Sequence, residues 1–280
     1  MIENRVIRLP KKGRLIVVTD IHGNKEDFDK YIEIWNKNDP DCHILFLGDL
    51  IHEVEYDKDF SIEILEECME YFDLPNFHIL LGNHELCQIM DESIYKLGYN
   101  QTFNFNRHIK NKVAGDAIKL FMEDNNVEVN EENIMRCYEW KKWQFEGFMR
   151  QFDYFCITEN GFFFSHAGIS DSALTYLLNH DVDLFNLDTN ITADYIFLED
   201  MIWSRPYDDY TETEIDIFLG VVDCKFMCVG HTPYNGCHII GNQLIFDSSF
   251  ATENKYYLDI DLGKDYDSII EVMKCLKEVK

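Results

Sequence analysis

Residues 15–24 read LIVVTDIHGN, an apolar run that ends in polar side chains next to a glycine. The run is short enough for a buried strand, and Gly23 permits the sharp backbone turn that must follow it. The same pattern recurs at residues 43–49, 77–85, 161–168 and 225–233. Each of these stretches therefore predicts a strand whose carboxyl end presents polar groups.

The segments between the first runs have helical periodicity. Apolar residues at three- and four-residue spacing over residues 28–35 predict a crossover helix and thus a βαβ unit, and residues 61–71 repeat the pattern. Residues 86–155 keep the helical period without a comparable strand run, so we expect a helical insertion there. These features predict an α/β fold, which we interpret as one domain over residues 1–280.

The C-terminal third returns to strand patterns. Residues 243–247 and 256–260 predict two further strands. After them, apolar side chains at helical spacing predict an amphipathic closing helix through Ile269, Ile270, Met273 and Leu276.

Composition limits the classes of function. The 280 residues are 46% hydrophobic and 28% charged, with a formal net charge of -27. This composition is typical of soluble globular proteins, and no apolar stretch approaches the roughly 18 residues of a membrane span. The acid excess repels a nucleic-acid backbone, and it either suits basic partners or is simply a solvated surface. We therefore expect neither a membrane nor a nucleic-acid partner.

Cysteine usage indicates the compartment. The chain has nine cysteines, an odd number, and no CxxC pair. Most lie within apolar runs, as reduced core cysteines do. We therefore expect a cytoplasmic protein.

The polar clusters at the predicted strand ends offer oxygen and imidazole donors. These are Asp20, His22, Asp49, Asn83, His166 and His231. Such donors suit Mn, Fe or Zn, and their number is right for two ions, with a carboxylate such as Asp49 able to bridge both. Two adjacent ions generate hydroxide and stabilise both oxygens of an in-line displacement at phosphorus. We expect two divalent metals, with manganese as the first choice.

The five clusters resemble the motifs of the calcineurin-like metallophosphoesterases, and within them those of the bacterial and viral phosphoprotein phosphatases. The matching segments are Asp20-Ile21-His22-Gly23-Asn24, Gly48-Asp49, Gly82-Asn83-His84-Glu85, His166-Ala167-Gly168 and Gly230-His231-Thr232. Their order and spacing also fit this family. The resemblance does not extend to the interior of the helical insertion.

The resemblance implies a four-layer α/β/β/α sandwich and a role for each matching residue. It assigns Asp20, His22 and Asp49 to the first ion, and Asp49, Asn83, His166 and His231 to the second. Asn83 is also expected to contact the substrate. His84 is then the catalytic residue that protonates or stabilises the leaving oxygen, a role that suits an imidazole because it titrates near neutral pH.

The second motif departs from the phosphoprotein phosphatases. Their pattern is Gly-Asp-x-x-Asp-Arg-Gly, whereas residues 48–54 read GDLIHEV. The aspartate that orients the acid histidine and the arginine that binds phosphate are both missing. Glu53 or another carboxylate could orient His84 instead, or Glu53 could be an exposed glutamate at the start of a helix. His52 could contact the substrate or lie on the surface.

Without this arginine, another basic residue would have to bind the phosphate. Arg205 follows a Trp-Ser segment that resembles one in many phosphatases, and it could pair with phosphate or with Asp208 or Asp209. A second possibility is the basic cluster of Arg107, His108, Lys110 and Lys112, which could also be a solvated helix face.

The expected function is a two-metal phosphoesterase that hydrolyses phosphomonoesters. A phosphorylated protein is the first expectation for its substrate, because the Gly-Asn-His-Glu and Trp-Ser segments resemble that branch. The enzymatic alternative is a nucleotide hydrolase or phosphodiesterase acting on dinucleoside polyphosphates or other small phosphoesters. The third alternative is a binding module that has lost turnover.

Overall fold

The structure is a computed structural model that describes residues 5–123, 130–180, 184, 187, 192–249 and 254–279. The strands are β1 (Val6–Leu9), β2 (Arg14–Val18), β3 (Cys42–Phe46), β4 (Phe77–Ile79), β5 (Tyr95–Lys96), β6 (Tyr99–Asn100), β7 (Phe155–Thr158), β8 (Phe162–Phe164), β9 (Phe226–Val229), β10 (Cys237–Ile240), β11 (Gln243–Phe246), β12 (Tyr256–Asp261) and β13 (Leu276–Glu278). The α-helices are α1 (Lys25–Ile34), α2 (Ser61–Tyr71), α3 (Asn83–Met90), α4 (Gln101–Glu123), α5 (Glu131–Met149), α6 (Asp171–Asn179), α7 (Thr192–Trp203), α8 (Glu212–Val221) and α9 (Ile269–Met273).

Most strands belong to two sheets. The five-stranded sheet has the order β13-β12-β2-β3-β4, and the six-stranded sheet has the order β1-β7-β8-β9-β11-β10. The neighbours β2, β3 and β4 are parallel, as are β8 and β9. The carboxyl ends of these parallel strands therefore lie together, which is where α/β proteins place their ligands.

The two sheets pack against each other through alternating apolar side chains. Leu15 and Val17 of β2 share one buried cluster with Phe162 and Phe164 of β8, while Ile16 and Val18 face the opposite side. This alternation follows from the two-residue period of a strand.

The outer faces of the sheets carry helices. Phe28 of α1 stacks on Phe46 of β3 at 5.4 Å between ring centroids, and Phe218 of α8 meets Phe163 of β8 edge-on at 4.9 Å. The two sheets are therefore flanked by helices, and the expected α/β/β/α sandwich is confirmed. No helix in the described part of the chain has the length and hydrophobicity needed to cross a membrane.

The region of the predicted insertion contains α3, α4 and α5, and also a small hairpin that periodicity did not indicate. β5 pairs with β6 through a turn at Leu97 and Gly98, whose φ angles are 50° and 85°. Positive φ at both central residues is typical of a tight hairpin turn. The hairpin brings Lys96 into the site described below.

The C-terminal prediction was wrong in part. The helix α9 ends at Met273, and Leu276 lies in β13, where it pairs with Leu258 of β12. The spacing of three residues between Met273 and Leu276 fits one face of a helix. In the structure, however, Leu276 pairs with β12 and extends the edge of the sheet. No clear local pattern predicts β1, β7 and β10, which are four residues each.

Candidate metal centre

The predicted donor residues converge at one edge of the two sheets. They are Asp20 and His22 after β2, Asp49 after β3, Asn83 at the start of α3, His166 after β8 and His231 after β9. All of them are buried, and all except His166 line a cavity of about 210 Å³. His166 joins the cluster from the side, with Nε2 at 3.0 Å from Asn83 Oδ1.

The donor atoms are spaced as metal ligands are. Asp49 Oδ2 lies 3.7 Å from His22 Nε2 and 3.5 Å from His166 Nε2, while Asn83 Oδ1 lies 3.1 Å from His231 Nδ1. Ligand atoms bound to one ion at about 2.1 Å are themselves separated by roughly 3 to 3.5 Å. Asp49 and His166 also form a compact group of potential ligands with His231.

Asp20 completes the cluster from the other side. Its Oδ1 atom lies 4.0 Å from His22 Nε2, and its carboxylate accepts a hydrogen bond from the backbone N–H of His231. This bond links the first motif to the last, so the two sheets are tied together at the site.

Each of the three donor histidines is oriented by a backbone carbonyl. His22 Nδ1 contacts the Ile51 carbonyl at 3.3 Å, and His166 Nδ1 contacts that of Leu47 at 2.8 Å. His231 Nε2 contacts the Trp203 carbonyl at 3.1 Å. Donating one ring N–H in this way directs the other ring nitrogen towards the carboxylates, as second-shell partners of metal-bound histidines do.

The protonation states of the site residues also favour cation binding. Burial lowers the pKa of His22, His166 and His231, so these rings are neutral, the form that binds metals. Burial and the nearby Asp20 charge raise the pKa of Asp49. A cation between the two carboxylates removes this repulsion. The donor chemistry, the spacing and the charge of the site thus fit divalent metal ions.

The backbone of the site is unusual. Asp20, His22, Asp49 and His231 have φ angles of 20°, 47°, 53° and 61°. This left-handed region is uncommon for residues other than glycine, and such residues cluster at functional sites. The conformation turns each side chain back towards the cavity immediately after its strand.

Glycine allows the loops to approach closely. A Cβ atom on Gly82 would lie 2.4 Å from the backbone nitrogen of Asp49, and one on Gly230 would lie 2.1 Å from Asp20 Oδ2. These distances are far inside van der Waals contact. The loops can therefore bring their donors together only because these positions lack a side chain.

Glu85 holds the second motif in place. Its buried carboxylate accepts hydrogen bonds from the backbone N–H groups of Asp49 and Leu50, each at 2.8 Å, and from that of Gly82 at 3.1 Å. Burial and the charge of Asp49 raise the pKa of Glu85 to about 7. The sequence motif contains this residue, but only the structure shows what it does.

His84 lies in the cavity wall beside the donors. Its Nε2 atom is 3.9 Å from Asp49 Oδ2, so distance alone would also allow it to join His22 and Asp49 around an ion. It differs from the three donor histidines in its other ring nitrogen, which faces a histidine rather than a carbonyl. That partner is His52, whose Nδ1 atom lies 3.0 Å from His84 Nδ1.

Neither of the two interpretations of His52 was correct. The residue is fully buried, with 0% exposure, and it is therefore neither a surface histidine nor part of the cavity lining. Glu53 does not orient His84, since its carboxylate accepts from the backbone N–H groups of Val54 and Glu55 in a local turn.

Two cationic side chains face the cavity. Arg205 lines it and donates a hydrogen bond from Nη1 to the His231 carbonyl at 3.3 Å. The carboxylate of Asp209 contacts the Arg205 backbone N–H, and no ion pair with Asp208 or Asp209 is found among the described residues. Lys96, which sequence reasoning missed, lines the same cavity from the β5–β6 hairpin.

Lys96 interacts with the acidic side of the site. Burial lowers the pKa of its ammonium group, while the charges of Asp49, Glu53 and Asp20 act to raise it. The sequence offers no strong signal for this position, because Leu97-Gly98 is not one of the residue pairs typical of tight hairpin turns. The other basic cluster lies elsewhere on α4, where Arg107 stacks over Tyr56 and Lys112 pairs with Glu66 at 3.3 Å.

The fold is shared with known phosphatases. A protein serine/threonine phosphatase from Saccharomyces cerevisiae, described as similar to human phosphatase PP5, is 14% identical with a TM-score of 0.59, and the match covers 99% of this chain and 83% of that one. A cold-active protein-tyrosine phosphatase from a psychrophilic Shewanella species is 14% identical with a TM-score of 0.54, covering 98% and 82%. No curated protein has a sequence that matches this chain significantly.

The family itself is shown by the sequence. The pattern of the calcineurin-like phosphoesterases matches residues 13–238, which contain every donor described above. This match, together with clusters of histidine and aspartate that fit a metal site, indicates a metal-dependent hydrolase of phosphoesters. The chain therefore belongs to the calcineurin-like phosphoesterase family.

Proposed function

We propose that this protein hydrolyses phosphomonoesters on other proteins, using two divalent metal ions, with Mn²⁺ as the first choice. The observation that carries the proposal is that the predicted metal ligands, His84 and the basic side chains of Arg205 and Lys96 converge on one small cavity. Asp20, His22 and Asp49 would hold one ion, and the second would bind between Asp49 and the set Asn83, His166 and His231.

The size of the cavity supports a substrate that enters only by its phosphoryl end. Pockets that enclose whole small molecules measure roughly 300 to 1,000 Å³. The cavity of about 210 Å³ holds a phosphoryl group and the atoms next to it, which leaves the rest of the substrate outside. A phosphorylated side chain of a protein meets this condition better than a dinucleotide enclosed as a whole.

The residues of the chain divide the work on such a substrate. Arg205 and Lys96 would pair with phosphoryl oxygens, and Asn83 would contact the same group from the start of α3. When bound, the metal ions would supply Lewis acidity and lower the pKa of water for attack on phosphorus. Their charge dominates the local field in an otherwise acidic protein.

His84 would serve the leaving group. An alkoxide needs a proton as it departs, and His84 Nε2 faces the cavity beside the bridging carboxylate. Burial lowers the pKa of His84, and a phosphate dianion entering next to it opposes that effect. His84 protonated on both ring nitrogens would pass its Nε2 proton to the leaving oxygen and would remain as a neutral ring with its proton on Nδ1.

The net charge and the cysteines of the chain support a basic partner and a reducing compartment. The net charge of -27 favours phosphorylated segments flanked by lysine or arginine. All nine cysteines are free thiols, which supports the proposed cytoplasmic location.

A metal analysis joined to a substrate panel tests this proposal. The panel contains p-nitrophenyl phosphate, peptides with phosphoserine, phosphothreonine or phosphotyrosine, cyclic nucleotides and diadenosine tetraphosphate. We expect two divalent ions per chain and kcat/KM values that are highest for phosphopeptides, with basic flanks preferred over acidic ones. Faster hydrolysis of diadenosine tetraphosphate would select the nucleotide alternative, and no hydrolysis by the metal-loaded protein would refute the proposed function.

A further inference from the structure

His52 occupies a rigid position behind the proposed acid. Its backbone N–H donates to Ser61 Oγ at 2.8 Å, and its φ angle is 79°. Its ring packs edge-on against Phe105 of α4 at 5.6 Å between centroids and lies 5.2 Å from the ring of His84. The ring is thus fixed on several sides in a dry environment.

The contact between the two rings requires one donor and one acceptor. His52 Nδ1 and His84 Nδ1 are 3.0 Å apart, within hydrogen-bond distance, so a single proton lies between them. If His84 donates, its Nδ1 carries the proton and the ring is held as the orienting aspartate of related phosphatases would hold it. If His52 donates, His84 carries its proton on Nε2.

The far side of His52 decides between these arrangements. His52 Nε2 and Gln88 Oε1 are both buried, neither has another hydrogen-bond partner among the described residues, and the side chain of Gln88 lies close enough to act on the His52 ring. Gln88 lies one helical turn after His84 in α3, and its Nε2 atom donates to Asn106 Oδ1 of α4 at 3.0 Å. This bond fixes the amide so that the oxygen of Gln88 is the atom left to accept.

We propose that Gln88 Oε1 accepts the Nε2 proton of His52, so that His52 Nδ1 accepts the Nδ1 proton of His84. His52 is then a positioning residue: a neutral ring takes the place of the missing carboxylate and directs His84 Nε2 at the leaving group. Asn106, from the helical insertion, supports the same chain of hydrogen bonds. The catalytic part of this inference depends on the proposed function, since it needs His84 to take up a second proton, on Nε2, and to act as the acid.

The neighbouring Gln88 has an electrostatic effect that agrees with this arrangement. Burial lowers the pKa of His52 to about 3, and the side chain of Gln88 acts in the opposite direction. His52 therefore stays neutral at physiological pH, and a neutral ring with its proton on one nitrogen is both a donor and an acceptor.

The tautomers can be observed without turnover. Long-range ¹H–¹⁵N spectra of the histidine rings in the protein loaded with diamagnetic Zn²⁺ should show His52 protonated at Nε2 and bare at Nδ1. The Gln88→Leu variant should shift the His52 signals. A His52 ring protonated at Nδ1 would overturn the proposed order of donors, whatever the protein hydrolyses.

The catalytic consequence appears in the dependence on the leaving group. We expect His52→Leu to lower kcat for phenyl phosphate at least about tenfold more than for p-nitrophenyl phosphate, because phenolate needs the proton of a well-placed acid more than p-nitrophenolate does. His52→Asp, which restores an acceptor, should recover most of the phenyl phosphate activity. Gln88→Leu should change the ratio of the two kcat values in the same direction. This variant tests the inference if His52→Leu does not fold.

The controls separate this inference from the function on which it depends. Gln144→Leu on α5 removes another partly buried glutamine amide and should leave the ratio of the two rates unchanged. Equal losses on both substrates in His52→Leu and Gln88→Leu, with metal content retained, would assign His52 a merely structural role. An inactive but metal-loaded wild-type protein would instead refute the phosphatase proposal and the catalytic role of His52 with it.

Discussion

The carboxylate of Glu85 accepts a hydrogen bond from the backbone N–H of Asp49 at 2.8 Å, which links the third sequence motif to the second. The same carboxylate also accepts from the N–H groups of Leu50 and Gly82. One buried side chain therefore sets the conformation of the loop that carries Asp49. Buried groups with several acceptor bonds of this kind are costly to lose.

Glu85→Gln should weaken both the fold and the metal site. The amide keeps one acceptor but points an NH₂ group at backbone N–H groups, which leaves donors unsatisfied at a cost of about 1 to 3 kcal/mol. Metal affinity should fall about 10- to 100-fold. Urea unfolding and metal titration measure the two effects. The exposed Glu139→Gln variant controls for the charge change, and equal metal affinity in both variants would contradict this role of Glu85.

Asp49→Asn should remove most activity by removing the shared ligand. The loss of several kcal/mol of transition-state stabilisation corresponds to about a thousandfold lower kcat. Metal content after dialysis should fall below two ions per chain. Full occupancy together with normal turnover would show that Asp49 does not bridge the ions. Removing the metals from the wild-type protein with a chelator should reproduce the loss, and adding Mn²⁺ should reverse it.

His84→Ala should lower kcat about 100-fold while both ions stay bound, because a positioned acid contributes about this much. Metal analysis is decisive here, since His84 Nε2 also lies within reach of the metal site. A variant that loses one ion would identify His84 as a ligand. Wild-type turnover in the variant would exclude either role.

Arg205→Ala and Lys96→Met should each raise KM for phosphorylated substrates. A charge-assisted hydrogen bond to phosphate is worth about 1.5 to 3 kcal/mol, which corresponds to roughly a 10- to 100-fold change. Lys110→Met, an exposed substitution on α4 outside the cavity, provides the matched control. An unchanged KM in either site variant would show that the residue does not bind the phosphoryl group.

Asp153→Asn should stabilise the protein at pH 8 more than at pH 5. Burial raises the pKa of Asp153 to about 6, with Arg5 acting in the opposite direction. The raised pKa means that this side chain favours the folded state most at low pH, and this contribution is lost as the pH rises through 6. The difference between the two pH values should be about 1 to 2 kcal/mol by urea unfolding. Exposed Asp73→Asn controls for net charge, and an equal effect of Asp153→Asn at both pH values would contradict the expectation.

The parts of this structure that could be predicted share one property, which is that a local pattern determines them. The apolar run at residues 15–19 needs burial on both faces, and the glycines after such runs mark where the chain turns back. The convergence of the polar side chains that follow these runs could be expected for the same reason. The predicted closing helix shows where local patterns become ambiguous. Leu276 fits the apolar face of a helix, but it also fits the edge strand to which it belongs in the structure.

The parts that could not be predicted depend on contacts between distant segments. Lys96 is ordinary in the sequence, and only the docking of its hairpin places it in the cavity. His52 occupies the position of an acidic residue in related phosphatases. Its proposed role in positioning His84 depends on Gln88 of α3 and Asn106 of α4. Pairings of this kind have no local period or composition from which to infer them.

The left-handed backbone of Asp20, His22, Asp49 and His231 has a consequence for selection experiments. A glycine at any of these positions would relax the main chain, so these side chains, which we propose bind the metal ions, are kept at the expense of thermal resistance. Heat-resistant clones selected from a random library without an activity requirement should therefore carry glycine at these four positions, and they should be unable to retain metal.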